Sequence, residues 1–416
     1  MSRRTGSSSG PGRTRRWRHQ RGVRVLLTAG LACAVVLTGC TSGSTQRSDG
    51  NAAAAGSSTT PQGQAPEITV DPVATTAAVL PTAEVAVTAS GGALQSVMVT
   101  DTAGGLLAGE LTADAAGWTS TALLAYSQTY IVRATAEGGD GQRTTTQSTF
   151  TTVDPQTLVF PSIGPLDGTT VGIGLPVRVY LDAPATDRAE VQRHLSVTST
   201  PPQEGSWSWL SDTEVHWRPK VYWQAGTQVT VETNLFGVDF GSGAWGETDR
   251  TISFAVGAAH RSVANAQTHQ MQVYDGAQLV RTIPVSMGRT EGGFETRSGA
   301  HVVIDKNREK TMDSTTYGLA LDAGGYVTEV EYATRISNNG EFVHSAPWSV
   351  ADQGVRNVSH GCINASPADA AWFFDFSQIG DVVEVVGAPV PLGPADGDIY
   401  DWTVPWEQWV AGSALP

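Results

Sequence analysis

From about residue 66 onward, apolar and polar positions alternate along the chain in short runs. Before position 153 these include Glu84-Val85-Ala86-Val87-Thr88, Ser96-Val97-Met98-Val99 and Tyr130-Ile131-Val132-Arg133-Ala134. Successive side chains of a strand face opposite ways, so a period of two marks strands with one buried face. Gly91-Gly92, Gly104-Gly105 and Asp140-Gly141 interrupt the runs, as turns between antiparallel strands do. The theme returns in Val177-Arg178-Val179-Tyr180-Leu181, Glu214-Val215-His216-Trp217 and Gln228-Val229-Thr230-Val231. Two β-sandwiches are therefore predicted, over 66–153 and 154–257.

The two blocks also end alike. Ser148-Thr149-Phe150 and Ile252-Ser253-Phe254 stand 104 positions apart, which reads as the internal duplication of an immunoglobulin-like module without a disulfide. Trp207, Trp209, Trp217 and Trp223 are expected in the second core, a sugar-binding groove being the alternative. His194 and His216 are isolated. Neither module carries convincing chemistry, and both are read as spacers.

A third β-rich block covers 258–388. Gln270 to Tyr274, the turn Asp275-Gly276 and Gln278 to Ser286 predict a hairpin, and His301-Val302-Val303-Ile304 and Asp381-Val382-Val383-Glu384-Val385-Val386 predict further strands. Ser366-Pro367-Ala368-Asp369 opens a short helix to about Ser377, with Ser as cap, Pro in the first turn and Asp three residues after the cap. In the tail, 389–416, Trp402, Trp406, Trp409 and Val410 fall at helical spacing, with Pro405 near a helix start and Gly412 beyond its end. Three tryptophans on one face are costly in water, so the tail is expected to pack back on the third block. The fold class is thus mainly β.

The first 40 residues differ in kind. They combine eight arginines and no acidic residue with an apolar run from Val25 to Leu37, which has the form of an export signal and is short for a membrane span. The end of the run, Leu37-Thr38-Gly39-Cys40, resembles a bacterial lipobox, which implies that Cys40 is lipidated and anchors the protein to the outer face of the plasma membrane. Residues 41–65, rich in Ser, Gly, Thr, Ala and Gln, lack the apolar surface to fold and form a tether. The formal charge of -14 understates the exported form. Without the leader, 18 basic side chains face 40 acidic ones, about -22, which argues against nucleic acid and against any membrane contact beyond a lipid anchor.

Cysteine usage then singles out one residue. Cys33 and Cys40 belong to the leader, so Cys362 is the sole cysteine of the folded part and has no intrachain disulfide partner. It lies in Ser359-His360-Gly361-Cys362-Ile363-Asn364, with His344 and Ser345 upstream. An imidazole can take the thiol proton, a glycine lets backbone N–H groups of Gly361 and Cys362 turn toward an oxyanion, and the predicted helix start downstream favours a thiolate. A buried inert cysteine or a zinc site built from His344, His360 and Cys362 are the competing readings, the second lacking close-spaced ligand pairs. No cofactor or metal is expected.

These residues resemble the signature of the YkuD-type L,D-transpeptidases, which cross-link peptidoglycan, and the likeness extends to Met271-Gln272-Val273-Tyr274, Ile283-Pro284-Val285-Ser286-Met287-Gly288, Met312-Asp313-Ser314-Thr315-Thr316-Tyr317-Gly318 and His344-Ser345-Ala346-Pro347-Trp348-Ser349. One departure is Thr296-Arg297-Ser298-Gly299, where the family commonly has Thr-Pro-x-Gly. The resemblance implies a Cys362 thioester, His344 as base oriented by the Ser345 carbonyl, and His360 close by. It implies Ser359 and Asn364 as braces of the loop, and Met312, Tyr317, Tyr326 and Trp348 at the substrate cleft. It further implies a donor tetrapeptide stem, an acceptor diamino acid, 3→3 cross-links and inhibition by carbapenems. Some lipoprotein members of this family carry immunoglobulin-like domains before the catalytic one. Hydrolysis of the same thioester by an L,D-carboxypeptidase, or a non-catalytic wall-binding module, remain as alternatives.

Overall fold

The computed structural model describes residues 64–416 apart from Asp398 and the side chain of Tyr317. Cys40, the leader and nearly all of the tether lie outside the described residues. No described helix is long and apolar enough to cross a membrane.

The first module has strands Glu67–Asp71, Ala86–Ser90, Gly117–Ser120 and Gly109–Leu111 in one sheet and Gly92–Asp101, Thr129–Gly138 and Arg143–Thr151 in the other, in those spatial orders. Thr129–Gly138 buries alternate residues as its sequence requires, and Tyr130 stacks on Phe150 at 5.4 Å between ring centres. In the second module the order Pro161–Gly164, Val177–Leu181, Glu214–Pro219, Gly205–Ser211 repeats the first sheet. The order Leu195–Thr200, Gln228–Asn234, Asp249–Val256 repeats the second. In both modules the strand carrying the closing phenylalanine, Phe150 or Phe254, has a parallel partner from earlier in its module, through Val79↔Thr152 and Val171↔Val256. The duplication read from the spacing of the two phenylalanines is therefore present in the topology, with an added small sheet from Thr157–Val159, Asp239–Gly241 and Ala244–Gly246 in the second copy. Trp207, Trp209, Trp217 and Trp223 are all buried in the second core.

The second module does not behave as a free spacer. Its core runs on into the third domain through Val302 and Val382, and the Gly172 and Gly174 N–H groups donate to the Ile379 and Gly380 carbonyls at 2.7 and 2.8 Å. A Cβ on Gly172 would lie 2.2 Å from the Asp381 nitrogen, so only glycine allows this approach. The tail expectation needs a matching correction. Residues up to Asp396 do pack on the third domain, where Leu392 N–H donates to Ser298 and Arg297 pairs with Asp396. The tryptophans, however, seat on the second module. Arg218 there presents its guanidinium to Trp402, Trp406 and Trp409 at 4.8, 5.3 and 4.8 Å, a cation that attracts the aromatic faces more strongly than an apolar sheet would.

The third domain has two sheets. One runs Gln278–Pro284, Gln270–Asp275, His260–Asn265, Val382–Val386, Gly299–Val302, and the other Asp305–Asp313, Val327–Arg335, Phe342–Ser345, Ile363–Ala365. Met271, Ile283, Met287, Val343, Ile363 and Phe373 belong to the core between them. The helix Pro367–Phe376 starts where predicted, with the Ser366 hydroxyl accepting from the Asp369 N–H. Only short 3₁₀ turns precede Cys362 in this domain.

Candidate active site

Cys362 sits one residue before the strand Ile363–Ala365, which pairs in parallel with Phe342–Ser345, placing His344 opposite Asn364. Adjacent parallel strands thus bring the thiol and the imidazole to one end of the sheet. Both are buried, and both line a cavity of about 300 Å³ with Met312, Tyr326, Trp348, Ser359, His360 and Asn364. The long hairpin of Asp305–Asp313 and Val327–Arg335 carries Met312 and, in its tip, Tyr326 over this cavity. Tyr317 lies in the 3₁₀ turn Ser314–Tyr317 of the same tip.

His344 Nδ1 is 2.8 Å from the Ser345 carbonyl. A carbonyl only accepts, so Nδ1 carries the hydrogen and Nε2 is left as the basic nitrogen. Burial pulls the imidazole down to about 4, the Ser345 bond opposing only in part. Burial likewise pushes the Cys362 thiol up to about 12, against a backbone hydrogen bond from Phe342 and with added repulsion from Glu341. The resting pair is therefore a neutral thiol and a neutral imidazole, and the expected thiolate favoured by a helix terminus is not the resting species. Desolvation outweighs a helix that begins at Pro367, beyond an intervening strand.

The loop around the thiol is held from several sides. Ser359 Oγ donates to the Cys362 carbonyl at 2.6 Å and accepts from the Gly361 N–H at 3.1 Å, so the Gly361 N–H expected to face an oxyanion is engaged within the loop. Gly361 has φ +121°, open only to glycine. Its carbonyl accepts from Thr296 Oγ1 at 2.7 Å. Asn364 Nδ2 donates to Ser349 Oγ at 3.1 Å, tying the strand after Cys362 to the turn Pro347–Ser349. His360 lines the same cavity but is engaged by other partners. Arg289 Nη2 stands 3.0 Å from its Nε2, Phe294 and Tyr326 flank its ring, and burial and Arg289 both hold its pKa low. Trp348, 58% exposed, lies over His344 with ring centres 6.0 Å apart.

Residues 259–385 match YkuD, the L,D-transpeptidase catalytic domain, and residues 76–239 match Big_10, a bacterial Ig domain. L,D-transpeptidase 2 of Mycobacterium tuberculosis is 40% identical over 333 residues, 80% of this chain and 81% of that protein. The chain belongs to the L,D-transpeptidase family. L,D-transpeptidase 5 of the same organism is 40% identical over 85% of this chain and 78% of its own length. Among solved structures, the L,D-transpeptidase LdtMt1 in complex with imipenem is 37% identical, covering 56% of this chain and all of its own, with a TM-score of 0.49. As an L,D-transpeptidase, the protein is a cysteine-dependent acyltransferase.

Sequence reasoning missed the surroundings of the transpeptidase loop. Arg289 and Thr296 from one loop, Glu341 from a second and Asp396 from the C-terminal segment hold the surroundings of Cys362, and no local spacing announces them. The one available signal was the Arg297 departure. A proline there would have no N–H, whereas the Arg297 N–H donates to Glu341 Oε1 at 2.8 Å.

Proposed function

We propose that this peptidoglycan L,D-transpeptidase works through a thioester on Cys362, with His344 as the base. The carrying observation is that one cavity is lined by both groups, with His344 Nδ1–H committed to the Ser345 carbonyl. Nε2 accepts the thiol proton as Sγ attacks the carbonyl of the donor tetrapeptide's terminal amide. The oxyanion faces loop N–H groups, Cys362 first, and the proton returns to the departing D-alanine amine. The amine of an acceptor diamino acid then opens the thioester, giving a 3→3 cross-link. Met312, Tyr326 and Trp348 line the cleft for the stem, Tyr317 belongs to the same hairpin tip, and Ser359 and Asn364 hold the loop.

A strained lactam carbonyl offers the same thiol the same reaction, so carbapenems acylate Cys362. The imipenem complex of a relative supports this reading. Cys40 is the lipidated N-terminus of the mature protein, anchoring it outside the plasma membrane. The Leu37-Thr38-Gly39-Cys40 run supports that, and release of a Cys40→Ser variant from the membrane fraction is its test.

The decisive experiment is mass spectrometry after incubation with a stem tetrapeptide. An acyl adduct on Cys362, absent in Cys362→Ala of unchanged circular dichroism, is expected, and an adduct on another residue overturns the assignment. Adding an acceptor peptide and following products separates cross-linking from hydrolysis.

A further inference from the structure

Glu341 is a buried carboxylate to which the transpeptidase chemistry assigns no part. Its Oε1 accepts from the Arg297 N–H at 2.8 Å and its Oε2 from Ser337 Oγ at 3.0 Å, with His301 Nδ1 3.6 Å from Oε2. It underlies the nucleophile loop, since a Cβ built on Gly361 would lie 3.7 Å from Glu341 Cγ. The preceding residue, Gly340, offers its carbonyl to Cys362 Sγ at 3.6 Å. The same turn is gripped from outside. Asp396 accepts from Arg297 Nε at 2.8 Å and from Asn339 Nδ2 at 3.3 Å, and its carbonyl accepts from the Asn339 N–H at 2.8 Å.

We propose that Glu341 and Arg297 are positioning residues for Cys362. They hold the turn whose Gly340 carbonyl orients the thiol, and Asp396 of the C-terminal segment locks that turn in place. A buried carboxylate is stable only with its donors present, so removing one donor drives the turn to rearrange. The groups facing Glu341 are His301, Arg297 and Cys362, and Asp396 faces Arg297 from the tail. Burial pushes the Glu341 carboxyl up, and when it is ionised its charge adds to the burial that already disfavours ionisation of the thiol. An exported thiol kept neutral is less open to oxidation.

The inference rests on Cys362 being the acylated residue, so the adduct is located in the parent protein first. An adduct elsewhere removes that reading, whereas the variants below bear on the brace alone. Arg297→Pro deletes the N–H, and Arg297→Gln keeps it while deleting the ion pair with Asp396. With the full chain, the rate of acylation by imipenem should fall about tenfold in Arg297→Pro and less in Arg297→Gln. It should stay about as low in Arg297→Pro/Glu341→Met, where both halves of the brace are gone and the second change adds little to the first. In Glu341→Gln, the pH profile of Cys362 alkylation by iodoacetamide should move down, which loss of packing alone would not produce. Parent-like acylation by Arg297→Pro, parent-like acylation by the double variant, or an unmoved alkylation profile would each overturn the proposal.

Discussion

Two buried histidines divide this molecule. His344, in the catalytic domain, meets only the Ser345 carbonyl through Nδ1, and burial takes it down to about 4. His216, in the second sandwich, pays the same desolvation but lies 3.0 Å from Asp401 and 2.9 Å from Glu214, and these carboxylates raise it to about 9. Burial acts alike on both, and the partners decide the outcome. A buried histidine with one neutral acceptor is a base in waiting, while one between carboxylates is a fixed cation. The first suits proton transfer. The second suits a latch, tying the tail to the second sandwich beside Arg218 and its three tryptophans.

The sharpest break is at His344. His344→Ala should lose on the order of 10²–10⁴-fold in cross-linking rate at unchanged fold, measured on stem peptides, whereas His360→Ala should lose less. An equal or larger loss at His360 would reverse their roles. The acid limb of kcat/KM should follow the lowered pKa. Below about 4 His344 is protonated and cannot accept the thiol proton, so the rate falls as pH drops through about 4. An acid limb at the ordinary histidine value would mean that His344 is not the base.

At the latch the expected damage is to stability. Asp401→Ala leaves a buried imidazolium with one partner fewer and should cost about 3–5 kcal/mol, read by denaturant unfolding of the second sandwich, with acylation within about threefold of the parent. Loss of acylation without loss of stability would assign the latch to the site instead.

What the chain reveals in advance follows the range of its interactions. The sandwiches, the hairpin, the helix after Ser366 and the Cys362 loop are local patterns, set by alternation, turn residues and caps within a few positions, and all were legible. His216 looked isolated because its partner Asp401 is 185 residues away. Glu341 lies 44 positions from Arg297 and Asp396 99 from it, so that brace was invisible except as a family departure. The thiol's protonation was misread for a related reason, because desolvation is a property of the packed site and not of the motif.

The histidine pair also separates in pH. His216 has a folded pKa raised to about 9 from 6.5, so its stabilisation is complete below about 6.5 and is lost as pH rises through about 9, on the order of 3 kcal/mol in all. His344, lowered to about 4 from 6.5, works the other way. The unfolded chain binds more protons between these values, so stability is lost as pH falls from about 6.5 to 4. Replacing His216 by Gln should flatten the alkaline decline and leave the acid one. If both remain, other groups govern the alkaline side.

The smallest effect should come from Trp406, and it tests what the tail's aromatic stripe is for. Trp409 is 1% exposed and its Nε1–H donates to the Ser206 carbonyl at 2.9 Å, whereas Trp406 is only half-buried and meets Arg218 and Lys220 through its face at 5.3 and 5.9 Å. Truncating Trp409 therefore opens a cavity and strands a carbonyl. Truncating Trp406 removes a cation–π contact at a partly wet surface, where such contacts are worth about 0.5–1 kcal/mol. Trp406→Ala should then shift unfolding by about 1 kcal/mol, and Trp406→Phe should restore part of it, because a phenyl face keeps some of the attraction for Arg218. A loss at Trp406 as large as at Trp409, unrescued by Phe, would show that the stripe holds the second sandwich by buried area alone and that the cation beneath it is incidental.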